Sequence, residues 1–260
     1  QEDKLFDFYI GHVYTILIID KKNKCCYNEI MRESADKFNW PLVGNGHIAE
    51  FLTKNIAGGK AAGAYIFYGP DGLGKETVAK YFAQILLSEK NPPCPPLLKG
   101  ADKVAHGDFH AIEKEEDKKN ISIERIRDFI RTISLSSFLN SYKVGIIKDA
   151  HLLSEEAANA LLKTLEEPNA KVVIILITSD IDALPATIVS RGQILRFHPV
   201  ASDLIYDYLL NEKKAPRSLA KNFSRLASGR PALAVKFLED KDFYEDYLKK
   251  AKVFLDFSAS

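Results

Sequence analysis

Cysteine is scarce in this 260-residue chain, which has only Cys25, Cys26 and Cys94. Adjacent cysteines do not easily pair with each other, so a disulfide framework is excluded and a reducing compartment, the cytoplasm, is predicted. An excess of one charge is missing too, because 36 Lys and Arg balance 35 Asp and Glu. Since no field of the whole chain would attract a polyanion or an anionic membrane, any contact with DNA must be local or shared with partners.

Long apolar runs are also missing. The longest covers residues 172–177 and is far too short to span a bilayer. We therefore expect no membrane partner. The composition, with 46% hydrophobic and 27% charged residues, is typical of a folded protein. A chain of this length has enough material for one large domain or two small ones with a buried core.

Residues 1–36 are expected to form an extension of uncertain origin. Residues 12–30 alternate in the manner of a strand on both sides of a polar turn, which predicts a β-hairpin. Met31, the only methionine, lies just before the region where a repeated pattern begins. Two interpretations stay open: residues 1–30 are upstream or added sequence before an initiator Met31, or they are a genuine N-terminal extension.

Residues 37–200 alternate between helical and strand periodicity. The apolar spacing predicts helices near 46–59, 75–88, 122–133 and 154–167, and strands near 64–69, 109–114, 142–150 and 171–179. Helices between strands at this spacing predict an α/β fold, with a parallel sheet flanked by helices on both faces. After residue 200 the pattern is wholly helical, so residues 201–260 are expected to form a small all-helical domain.

The helix predicted from Ser154 has well-defined ends. The Ser154 hydroxyl can accept a backbone N–H as the N-cap, and Glu155 and Glu156 lie at the positive end of the helix dipole. Pro168 follows and cannot continue the helix.

A glycine-rich segment, GPDGLGK at Gly69–Lys75, has the spacing of a P-loop and lies between a predicted strand and a predicted helix. Gly69, Gly72 and Gly74 allow backbone N–H groups to point towards an anion, and Lys75 adds a positive charge at the start of the helix. The segment predicts a phosphate-binding loop. The alternative is a glycine-rich turn without a ligand.

The metal-binding half of a P-loop site lacks its usual residues. A Ser or Thr that coordinates magnesium normally follows the lysine, but Glu76 stands there, and Thr77 is turned about 100° further around the helix. At the end of the strand before residue 150, Lys148 and Asp149 replace the acidic pair that would hold the metal and activate water. We expect Glu76 and Lys148 to form an ion pair. In the alternative, both face solvent, where such a pair contributes about 0–1 kcal/mol.

Several blocks of residues, in this order along the chain, resemble the AAA+ clamp-loader subunits of bacterial DNA polymerase III, and among them the delta-prime subunit. They include AYIFYGPDGLGK at 64–75, SEEAANALLKTLEEP at 154–168 and LPATIVSRGQILRFHPV at 184–200. The resemblance covers about residues 38–260. It implies an AAA+ P-loop NTPase-type core domain over 37–200, a helical lid domain over 201–260, and the absence of the family's C-terminal collar domain from this chain.

The resemblance also implies roles for individual residues. Arg191, in a Ser-Arg-Gly that is similar to the family's Ser-Arg-Cys, is implied to act in trans as a catalytic arginine finger that stabilises charge at a neighbour's γ-phosphate. The alternative is a structural arginine bonded to a carboxylate. Thr178 occupies the sensor-1 position, or else is merely a strand-end hydroxyl. The implied weak or vestigial nucleotide site consists of Gly69, Gly72, Gly74, Lys75, Thr77 and Thr178.

The function implied is that of a delta-prime-like clamp-loader subunit in DNA replication, with a degenerate ATP site and no ATPase activity of its own. The alternative is an ATP-hydrolysing gamma/tau-type subunit. Other loader subunits of gamma/tau and delta type are the implied partners, and the sliding clamp and primed DNA are reached through the assembled complex.

No cofactor is required by this interpretation, although ATP or ADP can dock on the loop, and no metal site is expected. The four-cysteine zinc module of the family is reduced to Cys94 with His106 and His110 nearby, whereas a structural zinc site needs four ligands. In the lid, Leu233 stands about where the family carries its sensor-2 arginine, and Arg230 lies three residues earlier.

Overall fold

The computed structural model describes residues 38–59, 61–87, 107–115, 117–135, 142–167 and 171–258. The hairpin predicted in residues 12–30 lies outside these ranges, as do Cys94 and His106. Of the helices in the described ranges, none is both long and apolar enough to cross a membrane.

Five parallel strands form one sheet. They are β1 (Ala64–Tyr68), β2 (Phe109–Ile112), β3 (Lys143–Ile147), β4 (Val172–Thr178) and β5 (Gln193–Arg196), in the order β2-β3-β4-β1-β5. Every residue of β3 and β4 is buried, as expected for central strands covered on both faces. The apolar pattern does not predict β5, because this edge strand buries only Leu195.

Helices cover both faces of the sheet, which confirms the predicted α/β fold. Helices α1 (Gly46–Ala57) and α2 (Lys75–Leu87) pack on one face, where Val78 and Phe82 meet Tyr65 and Phe67 of β1. Helices α3 (Ile123–Ser134) and α4 (Glu155–Glu166) pack on the other face, against the opposite side chains of the same strands. The short helix α5 (Ala186–Val189) precedes β5.

The start of α4 confirms the predicted N-cap. The Ser154 hydroxyl accepts a hydrogen bond from the Ala157 N–H at 3.2 Å, and both glutamates lie in the first turn. The apolar face of α4, which includes Leu161 and Leu165, is buried against the sheet. Local sequence therefore determines both where this helix begins and how it is oriented.

Lys143 at the start of β3 was not predicted to be buried, yet its side chain is only 3% exposed. Its ammonium donates hydrogen bonds to the carbonyl oxygens of Thr132, at 2.8 Å, and Leu135, at 2.9 Å. These carbonyls lie at the C-terminal end of α3, where a cation is favourable. Lys143 thus connects the sheet to α3.

Four helices follow the sheet: α6 (Ser202–Asn211), α7 (Arg217–Leu226), α8 (Pro231–Glu239) and α9 (Lys241–Ser258). We call them the lid. They have a core of their own, in which Phe237 lies 4.9 Å from Tyr247 and 5.9 Å from Phe223 between ring centroids. The segment before the lid is held by Asn45, whose side chain donates to the His198 carbonyl and accepts from the His198 N–H.

Candidate functional site

The predicted phosphate loop connects β1 to α2. Gly69, Gly72 and Gly74 have φ values of 146°, 82° and 88°, which residues with a Cβ rarely adopt. The Gly69 N–H donates to the Thr178 carbonyl at 3.2 Å, so β4 fixes the start of the loop. Because the loop follows β1 in a parallel sheet, it lies at the carboxyl end of the sheet, where parallel sheets commonly bind ligands.

A cavity of about 460 Å³ lies over this loop. Its lining combines the loop with the end of β3 and with the outer face of α2, and one lid residue closes it. The lining residues include Gly72, Gly74, Lys75, Glu76, Thr77, Lys148, Asp149 and Ala232. The structure therefore brings together most of the residues that the sequence assigned to a nucleotide site.

Lys75 is buried beneath the loop, with 5% of the residue exposed. Its ammonium donates to the carbonyl oxygens of Gly69 and Pro70, the second at 2.9 Å, and lies 3.3 Å from Asp71 Oδ1. Burial lowers the pKa of Lys75, and the nearby Asp71 carboxylate opposes this shift. The loop itself therefore supplies hydrogen-bond acceptors for the Lys75 ammonium group.

Glu76 and Lys148 form the predicted ion pair, with Lys148 Nζ 2.7 Å from Glu76 Oε1. Two further charges, which the sequence did not indicate, extend the pair. Lys80 lies 2.8 Å from the same Glu76 oxygen, and Glu113 lies 3.0 Å from Lys148. Two carboxylates and two ammonium groups therefore alternate in a row, of which Lys80, Glu76 and Lys148 line the cavity.

The pKa values of the central pair move in the directions expected for an ion pair. Burial alone would raise the pKa of Glu76, but hydrogen bonds from Lys148 and Lys80 outweigh burial and hold the pKa below its usual value. Burial would lower the pKa of Lys148, but hydrogen bonds to Glu76 and Glu113 outweigh it and raise the pKa. Both groups stay charged around neutral pH.

These residues do not fit a magnesium ion. Mg²⁺ needs an octahedral set of oxygen ligands, but the Glu76 carboxylate is already in contact with two ammonium groups. Asp149 is exposed at the cavity edge, with φ of 48°. Within the described ranges, no group of three or more His, Cys, Asp and Glu is placed to hold a metal ion. His110 bonds to the Gly107 carbonyl at 3.0 Å.

The two predicted threonines lie in different surroundings. Thr77 is exposed on α2 and lines the cavity. Thr178 is fully buried at the end of β4, where its hydroxyl donates to the Asp180 carbonyl at 2.6 Å and accepts from the Asp180 N–H at 3.1 Å. This hydroxyl thus stabilises the turn after β4, and its role as a γ-phosphate sensor stays a prediction.

Arg191 lies far from the loop. Arg191 lies two residues before Gln193, the first residue of β5. Gln193 is level with Tyr65 in the β1–β5 pairing, so Gly69 is four residues further along the strand direction, about 13 Å from the level of Gln193. The Arg191 guanidinium donates to the Thr187 carbonyl at 2.7 Å and lies 2.6 Å from Glu166 Oε1. The side chain remains 33% exposed. A carboxylate partner is therefore present, and the catalytic role stays a prediction.

The lid contacts the loop directly, which sequence patterns did not indicate. The Ala232 N–H, in the first turn of α8, donates to the Gly72 carbonyl at 2.8 Å. A Cβ at Gly72 would lie 3.0 Å from the Cβ of Leu233 and 3.3 Å from that of Arg230. The Arg230 Nε–H donates to the Ala227 carbonyl within the lid at 3.0 Å. Gly72 therefore has two structural roles, since it forms the loop and leaves room for the lid.

A second cavity, of about 410 Å³, lies between the loop and the lid. It is lined by apolar residues such as Val43 and Val235 and by polar ones such as Tyr208. Both cavities are lined by Gly74, Thr77 and Ala232. The two cavities therefore share part of their walls at the phosphate loop.

A parallel sheet with a phosphate loop after its first strand, β1, followed by a helical lid, defines a P-loop protein of the AAA+ type. Residues 44–201 match the family described as "DNA polymerase III, delta subunit". The chain belongs to this family of clamp-loader subunits.

Individual relatives agree with this assignment. DNA polymerase III subunit tau of Bacillus subtilis is 35% identical over 166 residues, which cover 63% of this chain and 30% of the relative. DNA polymerase III subunit delta′ of Pseudomonas aeruginosa is 35% identical over 145 residues, which cover 52% of this chain and 43% of the relative. The chain thus spans less than half the length of either relative.

A solved structure supports the fold alone. The RuvB Holliday junction branch migration motor of Thermotoga maritima superposes with a TM-score of 0.51 at 14% identity, covering 86% of this chain and 63% of RuvB.

Proposed function

We propose that this chain acts as a delta-prime-like subunit of a DNA polymerase III clamp loader, a cytoplasmic complex of DNA replication. Its own loop does not hydrolyse ATP, and Arg191 acts on a neighbouring ATPase subunit. The Glu76–Lys148 ion pair at 2.7 Å is the observation that carries this proposal. The family and the delta′ relative support it as well. The partners are subunits of gamma/tau and delta type, and through them the sliding clamp and primed DNA.

The ion pair supports the proposed absence of hydrolysis. In P-loop enzymes, Mg²⁺ bridges the β- and γ-phosphates and neutralises the charge that develops during transfer. Here the two positions that would hold the metal carry a carboxylate and an ammonium group that neutralise each other. The backbone of Gly72 and Gly74, together with Lys75, would hold the phosphates of a docked nucleotide, but that nucleotide would not be hydrolysed.

The position of Arg191 supports a role in trans. Gln193 is about 13 Å of strand away from the level of the phosphate loop, and Arg191 lies two residues before Gln193, so its guanidinium is too far away to reach a phosphate bound there. Its partial exposure leaves it accessible to another subunit. The Glu166 carboxylate would hold the guanidinium in place until a phosphate competes for it.

The test is to assemble the loader with this chain and measure DNA- and clamp-stimulated ATP hydrolysis by the partner. We expect Arg191→Ala to lower turnover at the site it serves by about 10³- to 10⁵-fold, as for other arginine fingers. Glu166→Gln is the matched control. It removes the same ion pair but keeps the arginine, so it should leave turnover within about a factor of ten.

Two results would contradict the role in trans. Unchanged turnover in Arg191→Ala would remove it outright. An equal loss in Glu166→Gln would show that Arg191 matters only through its ion pair, as a structural arginine.

The second candidate is an ATP-hydrolysing gamma/tau-type subunit, which the 35% identity to a tau subunit favours. It predicts magnesium-dependent hydrolysis by this chain alone, abolished by Lys75→Ala. Our proposal predicts no hydrolysis above background with or without Lys75. Lys75-dependent turnover would replace our proposal with the second candidate.

A further inference from the structure

Helix α7 of the lid carries a row of cations and no acidic residue. Arg217, Lys221 and Arg225 are spaced four residues apart, and all three are exposed. Within the described part of the chain none of them forms an ion pair, whereas Lys213, just before the helix, pairs with Glu239 at 2.8 Å. Their charges therefore face solvent without a partner from these residues.

Stability of the helix does not account for this row. The lid core is contacted by Ala220 and Phe223, on a different face of α7. Like charges four residues apart on a helix destabilise it by about 0.2–0.5 kcal/mol per pair. The helix dipole favours Arg225, which lies in the last turn, but it disfavours Arg217, which lies in the first turn where no acidic residue compensates. An arrangement that weakens the helix points to a ligand of opposite charge.

The row has the dimensions of a short stretch of nucleic-acid backbone. From Arg217 to Arg225 the helix rises about 12 Å. Phosphates of one strand advance about 3.4 Å each along the duplex axis but lie further apart along the winding backbone, so two or three of them can lie beside the row. Two of the cations are arginines, which bind phosphate in a bidentate manner. Exposed Ser218 and Asn222 on the adjacent rows supply hydrogen-bond donors suited to phosphate oxygens.

We propose that this face of α7 binds the phosphodiester backbone of DNA without reading its sequence. Because the net charge of the whole chain is only +1, the attraction comes from this local row. The proposal depends on neither the phosphate loop nor Arg191. Its failure would leave the proposed function standing, and the reverse also holds.

The test measures binding of the full chain to a labelled DNA duplex, and to the same labelled single strand, by fluorescence anisotropy between about 50 and 200 mM salt. The variant replaces Arg217, Lys221 and Arg225 with Gln. Losing three phosphate contacts should reduce the slope of log affinity against log salt by about 2.7 for the duplex and by about 2 for the single strand. At the lower salt, affinity should fall well below that of the unchanged chain.

The matched control replaces Lys241, Lys249 and Lys252 of α9 with Gln. It changes the net charge equally, and these lysines are also exposed. We expect the slope of this control to stay unchanged. Removing like-charge repulsion from α7 should not lower its unfolding free energy, and urea denaturation checks that both variants fold.

Three results would overturn the proposal: no DNA binding by the unchanged chain at the lower salt, equal losses in the α7 and α9 variants, or binding of polyglutamate as tight as that of DNA and lost equally in the α7 variant. The third result would assign the face to an acidic protein.

Discussion

Glu76 shows how one side chain replaces a metal ligand with a salt link. Two ammonium groups lie within 2.8 Å of the same carboxylate oxygen, so its charge is neutralised without a metal ion. With 41% of the side chain exposed, solvent screens these contacts and limits their contribution to stability to at most about 1 kcal/mol. The pair therefore matters more for which ligand the site accepts than for folding.

We expect Glu76→Gln to lower the unfolding free energy by at most about 1 kcal/mol near neutral pH. The folded-state pKa of Glu76 lies below its usual value of 4.5, so its stabilising effect is present above pH 4.5 and is lost as pH falls through the depressed pKa. The pKa of Lys148 is raised, so its contribution persists up to its usual value of 10.5 and is lost as pH rises through the raised pKa.

Urea denaturation of the unchanged chain and of Glu76→Gln, from acidic to alkaline pH, measures the difference in their unfolding free energies. Glu245→Gln is the control, because Glu245 pairs with Lys241 only at 3.7 Å on an exposed surface. If the loss of unfolding free energy in Glu76→Gln stays constant down to the lowest pH at which the chain folds, the stabilising effect does not come from the charged Glu76 carboxylate.

At the scale of helices, the ends of α3 and α4 differ in how they are capped. Ser154 caps α4 by accepting from the Ala157 N–H at 3.2 Å, whereas Ser122 precedes α3 without a side-chain cap bond. The same residue type therefore makes a cap bond at one of two equivalent positions and not at the other.

We expect Ser154→Ala to lower the unfolding free energy by about 1 kcal/mol, because an N–H of the first turn loses its acceptor. Ser122→Ala breaks no cap bond and should cost less. Chemical denaturation of the two variants measures both values. A loss in Ser122→Ala equal to that in Ser154→Ala would contradict the importance of the cap bond.

The sequence predicted those elements whose signals are local. The P-loop glycines, the cap at Ser154 and the apolar run of β4 each depend on neighbouring residues, and all were found where expected. Strand β5 was not predicted from its pattern, because an edge strand with one buried residue has little periodicity. Lys143 looks like a surface residue until the end of α3 is folded against it.

The site follows the same rule. Glu76 and Lys148 stand at two positions where a P-loop site usually has metal-binding residues, and this was enough to predict that they form an ion pair. Glu113 joins that pair from the end of β2, and Gly72 meets the lid 160 residues later in the chain. Contacts of that kind depend on tertiary packing, which no local pattern reports.

At the scale of the whole molecule, the core and the lid meet at the phosphate loop. The Ala232 N–H bond to Gly72 and the close approach of Leu233 make the position of α8 depend on a glycine at 72. Gly74 shares the positive φ, but a Cβ there would meet no atom within 4 Å. A comparison of substitutions at the two glycines therefore separates the effect of backbone strain from the effect of losing the lid contact.

We expect Gly72→Ala and Gly74→Ala each to cost about 1–2 kcal/mol, because both force an L residue into a left-handed conformation. Only Gly72→Ala should also push α8 away and accelerate hydrogen exchange at the Ala232 amide, by at least tenfold relative to Gly74→Ala. Hydrogen exchange followed by NMR measures this rate. Equal exchange in the two variants would contradict a direct dependence of the lid on Gly72.

The distance between Arg191 and the phosphate loop has a consequence for genetics under the proposed function. A substitution at Arg191 would remove only partly exposed contacts from its carrier, so the purified polypeptide should still fold. The defect would be seen only as poor catalysis by an unaltered neighbour, so a suppressor search would have to include both genes.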